Sequence, residues 1–273
     1  MKVNLKIVVF GTGAMGSALL KGWIKSKMLI PAKITAVDVD SAKCKKLASK
    51  LKIKAATDPS KALKGAGFIL LAVKPQQMND LLSQAGPQFP KKALVVSIAA
   101  GISTEQLEQA LPQGCPVIRV MPNTPALLGA GMAAVAAGKR AKAAQVKLVL
   151  NLFSAVGKSL EVSEDKMDLV TGLSGSGPAY IFHMIEAMVS AGIKGGLTPE
   201  AALQLAAQTV YGAGLMVLET GQSPTDLRIQ VTSPGGTTQA GLKVMEERGF
   251  KETVEAAIEA ATKRGAELRR GNG

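Results

Sequence analysis

Residues 7–23, with the sequence IVVFGTGAMGSALLKGW, decide the fold of this 273-residue chain. An apolar run enters a turn with glycine at positions 11, 13 and 16, and a segment without proline follows. Gly11 permits a tight turn, Gly13 lets the backbone approach a pyrophosphate, and Gly16 lets a helix pack closely on a strand. The start of that helix offers free N–H groups to an anion. The stretch predicts a strand at residues 6–10, a helix at residues 14–27 and a dinucleotide site between them.

A second apolar run supports this interpretation. Residues 34–37 are followed directly by Asp38, which lies 22 positions after Gly16. An acidic residue at this place would hydrogen-bond an adenosine ribose. A glycine-rich turn in another kind of α/β protein is the alternative. The flanking strand and helix patterns favour the dinucleotide.

Composition indicates a globular protein with a substantial core, because 47% of the residues are hydrophobic and 19% are charged. No apolar run reaches the roughly 20 uncharged residues of a membrane span, and the first ten residues lack the features of a signal peptide. We therefore expect a cytoplasmic protein. Cys44 and Cys115 are far apart and form no CxxC pattern, which predicts reduced thiols and no metal site.

The formal net charge of +13 raises the possibility of nucleic-acid binding. The basic residues are scattered, however, and aromatic residues make up only 3% of the chain, which leaves little for base stacking. A positive field attracts a phosphorylated cofactor or a carboxylate substrate equally well. We expect no nucleic-acid partner.

The order of apolar runs predicts two domains. Further short runs occur at residues 68–73, 94–98, 117–120, 132–137 and 159–162, separated by helical or turn-rich segments. This alternation indicates a parallel sheet covered on both faces. Beyond about residue 163 the pattern is helical. The predicted fold is α/β, with a Rossmann-type doubly wound sheet in residues 1–163 and an all-α domain in residues 164–273.

The predicted helices at residues 178–194 and 199–220 are apolar around most of their circumference. A domain of about 110 residues has too little interior to bury both, so we expect a partner subunit to cover them. Membrane contact is the alternative, which their polar stripes disfavour. His183, the only histidine, lies on one such stripe, a position more typical of a solvated side chain than of a catalytic one.

Three segments at predicted strand ends should border the cofactor, because ligands of doubly wound sheets lie at the carboxyl ends of the strands. They are LAVKP at residues 71–75, SIAAG at 97–101 and MPNTP at 121–125. Small residues such as Ala99 and Ala100 let backbone come close to a ligand, although each segment taken alone is also typical of a compact strand exit. Asn123 and Thr124 are polar residues fixed between two prolines.

A fourth segment, SPGGTT at residues 233–238, predicts a small-carboxylate site and is called the SPGGTT loop below. Adjacent Gly235 and Gly236 let backbone N–H groups converge on an anion, and a helix predicted at residues 239–248 adds its dipole. Ser233, Thr237 and Thr238 supply hydroxyl groups. The alternative is that one of them merely caps the helix. The sequence contains no Ser-His-Asp set, metal-ligand cluster or Walker loop, which suits hydride transfer by a nicotinamide.

Six motifs in order, GTGAMG, LAVKP, SIAAG, MPNTP, GLSGSGPAY and VTSPGGTT, resemble those of the pyrroline-5-carboxylate reductase family over nearly the whole chain. The resemblance implies reduction of the cyclic imine 1-pyrroline-5-carboxylate to L-proline, the last step of proline biosynthesis, with NADPH or NADH. It also implies a helical dimerisation domain that interlocks two subunits, with five dimers forming a decamer.

Carried over to this sequence, the resemblance implies a cofactor site and a substrate site. The pyrophosphate would lie at Gly11, Thr12, Gly13, Ala14 and Met15, and the ribose and nicotinamide near Ala72, Lys74, Ala99, Ala100 and Asn123. The substrate carboxylate would bind at Ser233, Gly235, Gly236, Thr237 and Thr238. Thr238 would be the catalytic residue, hydrogen-bonding the ring nitrogen and orienting it rather than acidifying it.

Asp38 departs from the family pattern. Many members have Ser, Thr or Arg just after the second strand, which suits the 2′-phosphate of NADPH. A carboxylate repels that phosphate and accepts hydrogen bonds from ribose hydroxyls, so Asp38 favours NADH. Lys43 and Lys45 would partly offset the repulsion, which leaves both cofactors open.

Two other functions fit parts of the pattern. One is another imine or β-hydroxyacid reductase; the hydroxyacid type generally needs a lysine on a long interdomain helix, and residues 171–187 contain none. The other is a dinucleotide-binding sensor or scaffold without turnover, which an intact SPGGTT loop disfavours.

Overall fold

The structure, a computed structural model, describes residues 3–271. By its internal contacts the chain divides into two compact units. Unit 1 comprises the residues up to Ser176 together with those from Glu259 onward, and unit 2 is Gly177–Ile258. In sequence, unit 2 is therefore an insertion within unit 1.

The described part of unit 1 is built on one eight-stranded sheet with the order β3-β2-β1-β4-β5-β6-β7-β8. The strands are β1 (Ile7–Phe10), β2 (Ile34–Val37), β3 (Lys54–Ala56), β4 (Phe68–Leu71), β5 (Leu94–Ser97), β6 (Val117–Pro122), β7 (Gly131–Ala137) and β8 (Gly157–Glu161). Order 3-2-1-4-5-6 is that of a doubly wound dinucleotide-binding sheet, with its switch point between β1 and β4. The predicted Rossmann-type fold is confirmed.

The structure corrects the predicted sheet in two places. One neighbouring pair, β6 and β7, is antiparallel, because the short connection of residues 123–130 leaves no room for a crossover helix. The strand β3 was not predicted, since its sequence KAA contains no apolar run. It lies at the sheet edge with Lys54 exposed, where charged residues discourage pairing with another chain.

The described helices alternate with strands up to β8, and after β8 the described elements are helices only. They are α1 (Ala14–Lys25), α2 (Ser41–Leu51), α3 (Pro59–Leu63), α4 (Met78–Ala85), α5 (Thr104–Ala110), α6 (Ala143–Ser154), α7 (Met167–Val170), α8 (Gly177–Lys194), α9 (Pro199–Thr220), α10 (Pro224–Gln230), α11 (Thr237–Glu247) and α12 (Phe250–Gly271). The helix α1 ends two residues earlier than predicted, because Lys27 has a left-handed backbone with φ of 58°. The helix α11 begins two residues earlier than predicted, with Gly236 as its N-cap.

Both faces of the sheet are covered. Ile7 and Val9 of β1 belong to one buried cluster, and Val8 and Phe10 belong to the other. Alternate residues of a strand point to opposite faces, so a strand that is apolar throughout needs packing on both sides. On the first face Trp23 is fully buried and donates from Nε1 to the Leu152 carbonyl at 2.6 Å.

A buried ionic cluster lies in unit 1. Arg119 of β6 is 1% exposed and donates to Glu164 Oε1 at 3.0 Å. Asp168 of α7 lies between two guanidinium groups, 3.8 Å from Arg119 Nη2 and 2.9 Å from Arg269 Nε of α12. Arg269 also accepts a hydrogen bond at its carbonyl from Gln106 of α5. The end of the last helix is thus tied to residues much earlier in the chain.

Unit 2 leaves much apolar surface open in the single chain. No residue of α8 is buried, and the buried residues of α9 are Ala202 and Ala206. Gly192 of α8 lets the two helices approach closely, because a Cβ there would lie 3.0 Å from the Ala202 Cβ. By length and composition α9 is the one described helix that could cross a membrane, a test that core helices of soluble proteins also pass.

The two cysteines are free and buried. Cys44 Sγ donates to the Ala36 carbonyl at 3.4 Å. Burial raises the pKa of both thiols, Cys44 and Cys115, which disfavours the reactive thiolate.

Candidate active site

The glycine turn after β1 is closely packed at Gly11 and Gly16 and open at Gly13. Gly11 has φ of +96°, and a Cβ there would lie 2.4 Å from the Ala72 carbonyl oxygen. A Cβ at Gly16 would lie 2.4 Å from the Gly11 oxygen, so α1 packs directly on the turn. Gly13 is the N-cap of α1, with no side-chain cap, and a Cβ there would meet no atom within 4 Å. Space and unsatisfied N–H groups therefore coincide at this helix start.

Asp38 is joined to the turn rather than left free in solvent. Its Oδ2 accepts hydrogen bonds from the Thr12 backbone N–H at 2.5 Å and the Thr12 hydroxyl at 2.6 Å, and its Oδ1 accepts from Asp40 N–H at 3.0 Å. Partial burial alone would raise the pKa of Asp38, but these hydrogen bonds and the charge of Lys43 together lower it. Asp38 is consequently ionised at neutral pH. Thr12 is buried and its polar groups are occupied by Asp38.

Two neighbouring cavities border the turn. The larger, of about 530 Å³, is lined by residues that follow β1, β2 and β4, including Gly11, Gly13, Asp38, Ala72 and Lys74. The smaller, of about 320 Å³, is lined by Thr12, Gly13 and Ala14 and by Ser17, Lys21, Lys43 and Leu127. Gly13 and Lys43 border both. Seven of the predicted cofactor residues line these two cavities. Met15, in the first turn of α1, lines neither cavity and packs against the buried core.

The remaining predicted cofactor residues follow β5 and β6 and line neither of these two cavities. Ala99 is buried, and its N–H donates to Ser97 Oγ at 3.3 Å; Ala100 is half-buried. The Asn123 carboxamide donates to the Ser174 carbonyl at 3.1 Å and accepts from Met132 N–H at 2.8 Å. Asn123 therefore holds the loop after β6 in place within unit 1.

The SPGGTT loop lies in unit 2, between α10 and α11. Gly235 has φ of +70°, which favours glycine, and a Cβ at Gly236 would lie 2.9 Å from Ser233 Oγ. Gly236 N–H donates to the Ser233 carbonyl at 3.0 Å, which closes a tight turn. The first bond of α11 runs from Ala240 N–H to the Gly236 carbonyl, and no side chain caps the helix.

The two threonines of the loop have their polar groups available. Among residues 3–271, no hydrogen bond involves the N–H groups of Thr237 and Thr238 or the Thr238 hydroxyl, and Thr238 is half-buried. A cavity of about 600 Å³ borders the loop at Gly235 and Gly236 and is also lined by Arg228, Lys243 and Glu246. Free N–H groups, a helix start and two nearby cations favour a bound anion.

Sequence reasoning did not single out Gln239 or Arg228, which lie beside this loop. Gln239 Oε1 accepts a hydrogen bond from Gly235 N–H at 2.7 Å. The sequence did contain a signal for this hydrogen bond. Gln239 is the third residue of α11, a position from which Glu or Gln side chains commonly reach back to backbone N–H groups just before the helix.

His183 pairs with a neighbouring side chain on its own helix and is not among the residues of the candidate site. His183 Nδ1 is 3.0 Å from Glu186 Oε2 on the surface of α8, and its side chain is 88% exposed in the single chain. Within residues 3–271, no group of three or more His, Cys, Asp and Glu residues is placed to hold a metal ion.

The turn after β1 fits a dinucleotide on its own geometry. The uncapped start of α1 faces open space at Gly13, and an ionised carboxylate stands at the end of β2. A doubly wound sheet with these features at its switch point is typical of the class of dinucleotide-binding proteins.

Comparisons with known proteins agree with this class and identify the family. A family model described as NADP oxidoreductase, coenzyme F420-dependent, matches residues 6–101, and one described as pyrroline-5-carboxylate reductase dimerisation matches residues 164–268. The chain belongs to the pyrroline-5-carboxylate reductase family and is an NAD(P)-dependent oxidoreductase.

Relatives match over nearly their full length. The pyrroline-5-carboxylate reductase of Methanosarcina acetivorans is 44% identical over 97% of this chain and 98% of its own. A structure of a pyrroline-5-carboxylate reductase from Coxiella burnetii has a TM-score of 0.89 at 35% identity, covering 97% of this chain and 99% of its own. The Plasmodium falciparum pyrroline carboxylate reductase, solved with NADP bound, has a TM-score of 0.88 at 30% identity, covering 98% and 100%.

Proposed function

We propose that this enzyme reduces the C=N bond of 1-pyrroline-5-carboxylate with NADH or NADPH, giving L-proline in the last step of proline biosynthesis. The observation that carries the proposal is the presence of unpaired backbone N–H groups in the SPGGTT loop. Its Thr237 and Thr238 N–H groups are unpaired at the uncapped start of α11, where a substrate carboxylate would find charge-assisted hydrogen bonds.

The cofactor site is proposed at the turn after β1 and at the ends of the next strands. Open space and free N–H groups at Gly13 suit a pyrophosphate, and Asp38 suits the adenosine ribose. Asn123 has its side chain engaged with Ser174 and Met132, so its proposed part at the nicotinamide is to shape the loop. The full proposed set is Gly11, Thr12, Gly13, Ala14, Met15, Asp38, Ala72, Lys74, Ala99, Ala100 and Asn123.

The substrate site is proposed at Ser233, Gly235, Gly236, Thr237 and Thr238. The nicotinamide, when bound, supplies the hydride for the imine carbon. The ring nitrogen of a pyrroline arrives protonated from water, so no strong side-chain acid is required. The unpaired Thr238 hydroxyl would accept a hydrogen bond from that N–H and orient the ring, while the loop amides would fix the carboxylate.

NADH is the proposed preferred cofactor. The pKa of Asp38 is lowered, so the group is a full negative charge at neutral pH, and it lines the same cavity as Gly11 and Ala72. A 2′-phosphate placed near it would be repelled. Lys43 lines both cavities and weakens that repulsion, which keeps NADPH usable.

The apolar helices of unit 2 suggest how the protein assembles. The match to a dimerisation family and the exposed Phe182, Leu205 and Leu218 support a homo-oligomer. The proposed arrangement is a homodimer through the helical domain, residues 164–273, with five dimers forming a decamer and residues 1–163 binding the dinucleotide. We propose a cytoplasmic location, with α9 covered by a partner subunit rather than by lipid.

The test is an assay of purified protein with 1-pyrroline-5-carboxylate and either NADH or NADPH. Loss of reduced nicotinamide and formation of proline are followed separately. Cofactor oxidation matched by proline formation is the expected result. Cofactor binding without oxidation would contradict the proposal and would favour a sensor role, whereas oxidation with other cyclic imines alone would identify a different reductase.

A further inference from the structure

The SPGGTT loop uses two of its own amides internally. Gly235 N–H donates to Gln239 Oε1 at 2.7 Å, and Gly236 N–H donates to the Ser233 carbonyl at 3.0 Å. The two glycine N–H groups are therefore not available to a ligand in this conformation. Those of Thr237 and Thr238 are the next along the chain, and no hydrogen bond occupies them among residues 3–271.

We propose that Gln239 is a positioning residue for the substrate: its carboxamide oxygen holds Gly235 N–H and fixes the loop so that Thr237 and Thr238 receive the carboxylate. This inference rests on the proposed function. Gln239 does not itself touch the reacting atoms, and it acts through the loop backbone. The loop needs such a constraint, because its two glycines otherwise have wide conformational freedom.

The choice of glutamine over glutamate has an electrostatic reason. A glutamate at position 239 would provide the same acceptor for Gly235 N–H, but it would add a negative charge beside the carboxylate of the substrate. Gln239 lines the cavity of about 600 Å³ together with two cations, Arg228 and Lys243, and one carboxylate, Glu246. A neutral acceptor holds the loop and leaves the two cations in excess of the one carboxylate, whereas a glutamate at position 239 would cancel that excess.

The experiment compares Gln239→Met, which removes the acceptor at similar size, with Gln239→Glu, which keeps the acceptor and adds charge. Gln222→Met is the matched control, because it removes an exposed hydrogen bond of 2.6 Å between Gln222 and Gln230. Steady-state kinetics give kcat and the KM of each substrate for the assembled full-length enzyme. Hydrogen exchange followed by mass spectrometry reports protection of the peptide that contains Gly235.

We expect Gln239→Met to raise the KM for 1-pyrroline-5-carboxylate about two- to tenfold, the range for one net hydrogen bond, with faster exchange of the loop peptide. The KM for NADH and kcat should change by less than about twofold, since the change is confined to loop positioning. Gln239→Glu should keep the exchange protection and still raise the substrate KM, and added salt should reduce that rise. The control should match the wild type.

An unchanged substrate KM in Gln239→Met would overturn the inference. So would a lowered KM, which would mean that Gln239 competes with the substrate for Gly235 N–H. If Gln239→Met does not fold, loss of exchange protection in Gln239→Glu would overturn it equally. Failure of the proposed function is distinguishable, because the wild-type enzyme would then show no turnover of this substrate at all.

Discussion

Replacing Asp38 with serine should reverse the cofactor preference of this enzyme. Asp38 is ionised and accepts from the Thr12 N–H and hydroxyl groups. A carboxylate about 5 Å from a phosphate charge is repelled by roughly 1–3 kcal/mol at effective dielectric constants between those of a protein surface and water. Losing a charge-assisted hydrogen bond to the ribose costs NADH about 1.5 kcal/mol or more. The two effects together predict a shift of at least about 50-fold in the ratio of catalytic efficiencies, towards NADPH.

The assay measures kcat/KM for NADH and NADPH with saturating substrate, at low and moderate ionic strength. Asp40→Asn is the matched control, because it removes one negative charge from the same turn while asparagine still caps α2 at Lys43 N–H. Because Asp38→Ser also removes acceptors from the buried Thr12, the melting temperature is recorded for each variant. An unchanged efficiency ratio in a folded Asp38→Ser enzyme, or an equal change in Asp40→Asn, would refute the reasoning.

Three further predictions concern Thr238, the buried ionic cluster around Arg119, and the pH dependence of the contribution of Asp38 to stability. Thr238→Ala should lower kcat about tenfold or more by removing one hydrogen bond to a charged group, with little effect on the KM for the cofactor; Thr238→Ser should restore most of the rate, and equal losses in rate and cofactor binding would contradict the assignment. Arg119→Met should lower the free energy of unfolding, measured in urea, by about 3 kcal/mol, because the carboxylates of Glu164 and Asp168 lose a buried partner. Lys139→Met breaks an exposed ion pair with Glu105 of 3.8 Å and should lower the free energy of unfolding by less than about 0.5 kcal/mol. Similar losses in both variants would contradict a special contribution of the buried ionic cluster to stability. Since the pKa of Asp38 is lowered in the folded protein, its contribution to stability is complete above the unfolded value of about 3.9 and is lost as the pH falls through the folded value. The stability difference between wild type and Asp38→Asn should therefore stay constant from about pH 7 to pH 5 and shrink only below about pH 4; loss of the difference by pH 6 would exclude Asp38 as its source.

Most strands of the sheet could be predicted because they carry strong local signals. Buried strands such as β1 and β4 are apolar at every position. Gly11 and Gly16 are required by steric contacts, as the 2.4 Å approach of a Gly11 Cβ to the Ala72 carbonyl oxygen shows. The edge strand β3 escaped prediction because an exposed strand needs no apolar residues. Its pairing is decided by the neighbouring β2, which lies elsewhere in the sequence.

The sequence was sufficient to propose which residue types form the candidate site, but not to predict their contacts. The sequence placed an acid at Asp38 but could not reveal that Thr12 already donates to it, because that contact joins residues 26 positions apart. The same limit applies to Asn123, whose side chain reaches Ser174. Local patterns indicate which groups are present, whereas long-range hydrogen bonds decide which of them remain free for a ligand.

The pairing of Asp168 with Arg269 has a consequence for how the chain is made. The two residues are 101 positions apart, and unit 2 lies between them in sequence. During synthesis the sheet and Arg119 emerge from the ribosome first. Asp168 can pair with Arg269 only after α12 has also emerged. A nascent chain halted before Arg269 carries a partly satisfied carboxylate in an otherwise finished Rossmann-type unit. The last turn of α12 thus completes an ionic cluster whose other members lie in the part of unit 1 up to Ser176.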